Sequence, residues 1–278
     1  MFADYHVHSH FSDDSTYLME QVVRDAIAMG LEEICFTDHV DYGIKRDWDD
    51  PLGVEMRPGT QEPFANVDYP TYVSLIRELQ ERYAGKIAIR MGMEFGMQTH
   101  TIPQYEKLYQ KYPFDFIILS VHQVEDKEFW TQDFQRGRTQ AEYNLRYYEE
   151  MLHLVRSYKH YSVLGHMDLI ARYDKAGYFP FENIRPIVTE ILKQVIADGK
   201  GIEVNTSCYR YGLNDLTPSR DILLLYRELG GDILTIGSDS HKPAHLGQHI
   251  SDTTAALKSM GYQHLCTFDR MAPKFHSI

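Results

Sequence analysis

The chain has 278 residues, with 40 acidic and 28 basic side chains, and carries a net charge of −12 at neutral pH when histidine is uncharged. It contains no stripe of lysine and arginine interleaved with aromatics, which argues against nucleic acid or an anionic membrane as the main partner and leaves a small ligand as the expectation. No apolar run is long enough to span a bilayer, and Asp4 stands where a secretory leader would carry positive charge, so a cytoplasmic location is expected.

The first element is a strand through Asp4-Tyr5-His6-Val7-His8-Ser9-His10. Side chains alternate faces along a strand, so His6 and His8 project together with Val7 packed behind them. A polar turn over 11–15 follows, then a helical stripe of Leu18, Val22, Ala26, Ile27 and Met29 that ends at Gly30. The next strand, Glu33 to Thr37, delivers Asp38 and His39 at its carboxyl end. Residues 41–65 hold acids, Pro51, Pro58, Pro63 and glycines without periodicity; a loop of this kind is expected to cover a site or lie across its rim.

The spacing then predicts a helix over 69–83, a strand over 87–93 ending in Glu94, a helix over 103–112, and a strand over 114–121 ending in His122. A long helix over 140–158 leads to a strand over 161–164 and His166, and the loop 172–181 is turn-rich and aromatic. A helix over 184–197 precedes the strand 201–204, which enters Asn205-Thr206-Ser207. Pro218 opens a helix over 219–229, and the strand 233–236 ends at Asp239 and His241. Seven strands alternate with helices, and a weaker eighth covers 263–268. That order implies parallel pairing with right-handed crossovers, and the length fits one closed α/β barrel over 1–278 better than an open sheet.

The ligand-type residues recur just past the strands, in Thr37-Asp38-His39, Gly92-Met93-Glu94, Ser120-Val121-His122, Gly165-His166-Met167-Asp168 and Gly237-Ser238-Asp239-Ser240-His241. At the carboxyl ends of barrel strands such residues converge on one mouth, which makes a single constellation of His6, His8, Asp14, His39, Glu94, His122, His166, Asp239 and His241. Imidazoles mixed with carboxylates suit zinc, iron or manganese rather than calcium. Nine candidates exceed what one ion takes, so two or three divalent ions bridged by Glu94 are expected. Asp13 competes with Asp14, and the sequence leaves that choice open. Asp38 and Asp168 are read as partners that orient imidazoles, and His10 as a rim residue. His153, His160, His264 and His276 lack partners in the sequence pattern and are read as ordinary. Cys35, Cys208 and Cys266 fit no CxxC pattern and are read as buried free thiols.

The set of His-x-His near the N-terminus, an acid in the next turn, Thr-Asp-His, a Glu after the third strand, single histidines after the fourth and fifth, and Asp-x-His after the seventh resembles the polymerase and histidinol phosphatase (PHP) family. The stretches Asp4 to Ser15, Ser120-Val121-His122 and Leu164 to Arg172 are most similar to its stand-alone histidinol-phosphate phosphatases. The resemblance implies a distorted (β/α)7 TIM-like barrel and a trinuclear site. His6, His8, Glu94 and Asp239 would hold one ion, Asp14, His39 and His241 a second, and Glu94, His122 and His166 a third, with a bridging hydroxide held by Glu94, Asp239 and His241. Many relatives have His at the position of Asp14, a departure that bears on which metal is preferred.

A phosphomonoester also calls for a basic clamp. Arg172 is the first choice for it and Arg210 the second, because a guanidinium matches phosphate oxygens in bidentate geometry. The acids Asp47, Asp49, Asp50 and Glu125 are candidates for recognising a cationic substrate. The expected activity is hydrolysis of L-histidinol phosphate in histidine biosynthesis. Its rivals are the same chemistry on a phosphotyrosyl protein or a nucleotide, and a non-catalytic metal-binding module.

Overall fold

The computed structural model describes residues 2–56 and 63–278; Met1 and Pro58 of the 41–65 loop lie outside the described residues. Seven parallel strands, β1 (Ala3–Val7), β2 (Glu33–Phe36), β3 (Ala88–Gly96), β4 (Phe116–Ser120), β5 (Val163–Leu164), β6 (Gly201–Asn205) and β7 (Leu234–Gly237), pair each with the next. A two-residue strand, His39–Val40, adds to β3 in parallel. Past the ends of β1 and β7 the ring is nearly closed, because His8 N donates to Ser240 O at 2.8 Å and Ser240 N to His6 O at 3.2 Å. The helices α1 (Met19–Ala28), α2 (Tyr69–Arg82), α3 (Ile102–Lys111), α4 (Gln140–Ser157), α5 (Phe181–Ala197), α6 (Arg220–Glu228) and α7 (Ile250–Ser259) surround it. This is the seven-stranded TIM-like barrel expected from the sequence. Among the described residues no helix is long and apolar enough to cross a membrane.

Local chemistry starts the helices where the sequence puts them. Asp68 accepts from Thr71 N at 3.1 Å ahead of α2, and Thr139 and Glu142 form a reciprocal capping box at α4. Each helix turns an apolar stripe onto the sheet, for example Ile76 and Leu79 of α2 and Ile191, Leu192 and Val195 of α5, all fully buried. Each large side chain so buried stabilises the fold by about 1.5–3 kcal/mol relative to exposure.

Inside the ring the residues sort by height. Tyr5, Cys35, Phe116, Ile118 and Val163 form an apolar plug with Cys266 and Phe268, and polar side chains take over above it. One irregularity in β1 makes this possible. Asp4 pairs with Ile34 and Val7 with Phe36, so β1 spends three steps where β2 spends two. Such a bulge re-aims side chains. Tyr5 turns into the plug and His6 into the polar layer, while Asp4 accepts from Ser238 N at 2.8 Å and Gly247 N at 2.9 Å and ties β1 to the chain beyond β7.

Three expectations differ. The segment around 263–268 is a strand, His264–Asp269, but it pairs antiparallel with Ala272–Ser277 rather than joining the barrel. This hairpin covers the end of the barrel opposite the histidines, with Phe268 N donating to Tyr5 OH at 2.6 Å and Arg270 N to Asp115 at 3.1 Å. Helix α7 escaped the sequence reading because its buried positions, Ile250, Thr253 and Leu257, make a sparse stripe. Strand β3 continues past Glu94 to Gly96, since His39–Val40 supplies a partner for the extra residues.

The seam between β1 and β7 leaves no room for a side chain at Gly237. A Cβ there would collide with His6 Cβ and lie 2.9 Å from His6 N. Gly237→Ala is expected to lower stability by about 1–3 kcal/mol, read as a lower urea midpoint with an unchanged slope; a parental midpoint would mean that the seam relaxes freely.

Candidate metal centre

All nine candidates meet above the plug. Glu94 is at the centre and fully buried. Its Oε1 lies 3.0 Å from His122 Nε2 and 2.8 Å from His166 Nε2, and accepts from Ser120 Oγ at 2.7 Å. Its Oε2 lies 3.2 Å from His6 Nε2, 3.5 Å from His8 Nε2 and 3.0 Å from His39 Nδ1. The close approach of His39 follows from the register of its short strand, which sets it directly opposite Glu94.

A second group lies toward the solvent. Asp239 Oδ1 is 3.5 Å from His8 Nε2 and 3.8 Å from His6 Nε2. His241 stacks on His8 at 4.0 Å between centroids and approaches Asp14 Oδ2 to 3.1 Å, with His39 Nε2 at 3.6 Å from the same oxygen. Asp13 instead pairs with Lys45, so of the two neighbouring acids it is Asp14 that the structure brings to the histidines. His10 is exposed at the rim, and its Nδ1 accepts from Met19 N at 3.3 Å.

Charge in this cluster is strongly coupled. Burial alone would push Glu94 up, but His6, His122 and His39 hold it well below the ordinary carboxylate range. Asp239 is likewise held low against its burial, by His6, His8 and His241. His122, against the effect of burial, is raised to about 9 by Glu94 and Asp41, whereas burial and the rings of His241 and His39 push His8 down. Among the described residues, five buried nitrogen and oxygen atoms of this group make no properly directed hydrogen bond, His6 Nε2, His8 Nε2, His39 Nδ1, His166 Nδ1 and Glu94 Oε2, even though the nitrogens of His6, His8 and His39 crowd Glu94 Oε2 at 3.0–3.5 Å. Buried polar atoms are ordinarily paired, so the donor set and its orphaned atoms fit divalent cations with nitrogen and oxygen preference.

Behind the imidazoles stand partners that the sequence reading missed. Glu203 Oε1 is 2.5 Å from His6 Nδ1, and its Oε2 accepts from His166 N at 2.9 Å. Asp41 Oδ1 is 2.8 Å from His122 Nδ1, and Ser12 Oγ is 3.1 Å from His8 Nδ1. Such contacts fix which ring nitrogen of each histidine faces Glu94 or Asp239. A carboxylate inside the apolar run Gly201-Ile202-Glu203-Val204 was the available signal for Glu203; Asp41 has the parity of His39, two residues on.

Other expectations are corrected. Asp38 touches no imidazole; it accepts from Ser9 N at 2.7 Å and from Ser12 Oγ at 2.7 Å, shaping the turn, and reaches His8 only through Ser12. Asp168 accepts from Ser219 N at 2.7 Å, ahead of α6, and likewise orients no imidazole. Arg172 lines the cavity over the cluster, stacked on Tyr211 at 4.1 Å and donating to Ser207 Oγ at 2.5 Å. Arg210 donates to Ser238 O at 2.7 Å and Asp239 O at 2.5 Å beside the left-handed backbone of Asp239, with φ of 55°, and its guanidinium lies 3.5 Å from Asp239 Oδ2.

The cavity measures about 530 Å³, and its outer wall carries Glu55, Glu128, Trp130 and Tyr173. Of the acids expected there, Asp47 lies in a separate hollow with Asp49, where it accepts from Tyr69 OH, Asp50 caps a turn at Leu52 N, and Glu125 pairs with Arg138 and Arg146. Glu55, Met56 and Phe64 of the 41–65 loop line the cavity, so that loop does form part of the rim. His160 stacks on Tyr109 and His276 bonds Thr267, both away from the cluster, and the three cysteines are free and buried.

The PHP domain family profile matches residues 4–207. The histidinol-phosphatase of Lactococcus lactis subsp. lactis is 33% identical over 273 residues, covering 96% of this chain and 94% of its own. A crystal structure of histidinol phosphate phosphatase from Lactococcus lactis subsp. lactis, complexed with zinc, L-histidinol and phosphate, superposes with a TM-score of 0.83 at 32% identity over 98% of each chain. A Listeria monocytogenes crystal structure shares the fold, with a TM-score of 0.72 at 19% identity over 90% of this chain and 99% of that one.

Glu203→Gln keeps the shape behind His6 but removes the charge. Zinc affinity is expected to fall ~10–100-fold with a native circular dichroism spectrum; an unchanged affinity in a chelator competition would reduce Glu203 to a packing role.

Proposed function

This chain belongs to the PHP domain family, and on that premise we propose that it is a histidinol-phosphatase, hydrolysing L-histidinol phosphate to L-histidinol and inorganic phosphate in histidine biosynthesis. The whole of 1–278 is taken as one barrel domain devoted to this reaction. The observation that carries the reading is Glu94, a buried carboxylate with imidazole nitrogens crowding both oxygens and no directed hydrogen bond at Oε2, at the base of a cavity that also holds Arg172.

His6, His8, Glu94 and Asp239 would hold one divalent ion, Asp14, His39 and His241 another, and Glu94, His122 and His166 a third, with zinc, manganese or iron suiting the donors. When bound, such ions lower the pKa of a water molecule toward neutrality and offset negative charge on the phosphoryl group. The residues of the chain do the rest. Arg172 presents its guanidinium to the phosphoryl oxygens, and Tyr211 and Ser207 fix its plane. Arg210 holds the backbone of Asp239 in place. Glu55 and Glu128, with Trp130 and Tyr173, give the outer cavity an acidic and aromatic wall suited to a small substrate that carries an amine and an imidazole.

The test is phosphate release from L-histidinol phosphate by the purified protein, with and without a chelator. Release that stops with chelator and returns with zinc, manganese or iron is expected; fast release from nucleotides or phosphotyrosyl peptides and none from L-histidinol phosphate would discard the substrate but keep the site. His8→Ala is expected to abolish turnover and reduce bound metal. Arg172→Ala should lower kcat/KM by ~10²–10³-fold with metal content intact, and loss of metal there would refute the clamp.

A further inference from the structure

Lys45 carries a buried ammonium group to which no step above assigns a role. Its Nζ lies 2.5 Å from Asp13 Oδ1 and 2.9 Å from Asp41 Oδ2, and all three side chains are less than one-tenth exposed. Each carboxylate leads to a candidate ligand. Asp41 turns its other oxygen to His122 Nδ1 at 2.8 Å, and His122 Nε2 faces Glu94 at 3.0 Å. Asp13 is the chain neighbour of Asp14, whose carboxylate faces His241 and His39. The Asp14 side chain is 46% exposed, so its place rests on its contacts with the two rings and on the buried neighbour that anchors its backbone.

A separate feature points to the same arrangement. At Gly96, on the extra length of β3, a Cβ would collide with Asp41 Oδ1 and sit 2.6 Å from His122 Nδ1. The strand lacks a side chain at the spot where the Asp41–His122 contact forms. The electrostatics agree: Asp13, Asp14 and Asp41 crowd a wall that already holds Glu94 and Asp239, and like charges this close oppose one another unless a cation stands between them.

We propose that Lys45 is a positioning residue for the metal centre: one ammonium, clamped between Asp13 and Asp41, holds Asp14 toward His39 and His241 and His122 toward Glu94. This rests on the metal-dependent reading of the site and goes beyond it by assigning the group that aligns two ligands from different segments of the chain. Lys45 joins three segments far apart in sequence, the turn after β1, the rim loop, and the chain after β4. Removing one partner of a buried pair leaves the other charges uncompensated, so without the ammonium both carboxylates are pushed out of alignment.

The experiment compares the parent with Lys45→Met, Lys45→Arg and the double variant Asp13→Asn/Lys45→Met, each titrated with zinc against a chromophoric chelator and assayed for phosphate release. In Lys45→Met at least one equivalent of zinc is expected to bind ~10–100-fold more weakly, with kcat low at limiting zinc and recovering as zinc is raised, while KM stays near the parental value. Lys45→Arg should restore most of the affinity, because the charge and two donors remain. The double variant removes one positive and one negative charge together, so it should fold even where Lys45→Met does not, and show the same weakened equivalent. A folded variant without the ammonium that binds every equivalent as tightly as the parent overturns the proposal, as does lost turnover with unaltered zinc affinity. If the parent binds zinc yet leaves L-histidinol phosphate intact, the substrate reading fails while the zinc titration still decides the role of Lys45.

Discussion

A charged carboxylate with no access to water must be met by cations or by donors on every side, since stripping an ion of its hydration costs several kcal/mol even after relaxation. Glu94 sets that condition at the centre of this barrel. Five imidazoles surround it, from β1 and the residue beyond it, from the short strand His39–Val40, and from the chain after β4 and β5. The polar layer of histidines and carboxylates, the apolar plug beneath it and the cavity above it are arranged around this one buried charge.

The bulge in β1 reconciles two demands on a five-residue strand. The plug needs the ring of Tyr5, edge-on to Phe116 at 5.0 Å, and the polar layer needs His6. Adjacent residues of a regular strand point to opposite faces. An extra residue lets both turn inward, and it leaves Asp4 to tie β1 to the residues beyond β7. The same seam sets Asp239 beside His6 and His8, so barrel closure and the gathering of these three side chains are one event.

Around the inner histidines runs an outer layer of carboxylates and hydroxyls. Glu203, Asp41 and Ser12 each engage the ring nitrogen that does not face Glu94 or Asp239, which fixes ring orientation without adding to the inner set. Two cations then divide the work at the mouth. Arg172 lines the cavity, whereas Arg210 spans two backbone carbonyls and the Asp239 carboxylate and stabilises the left-handed turn at Asp239, a conformation that costs on the order of 1–3 kcal/mol.

The sequence by itself determined the number and direction of the barrel strands, because apolar runs alternating with amphipathic stripes admit few topologies. It also determined the inner residues, because His-x-His, Asp-x-His and the single acids and histidines fall at strand ends, where a parallel barrel brings side chains together. What lay beyond it were contacts between segments far apart in the chain. Asp13 and Asp14 are equivalent as text, and only Lys45, 32 residues away, separates their roles. Arg172 and Arg210 look alike, and the carbonyls beyond β7 decide which one reaches the cavity. Asp38 and Asp168 sit beside histidines in sequence but spend their oxygens on turns, while Glu203, inside an apolar run and 197 residues from His6, orients that ring. Periodicity reports the face on which a side chain lies; which partner satisfies it depends on packing across the barrel, and that is a property of the tertiary structure alone.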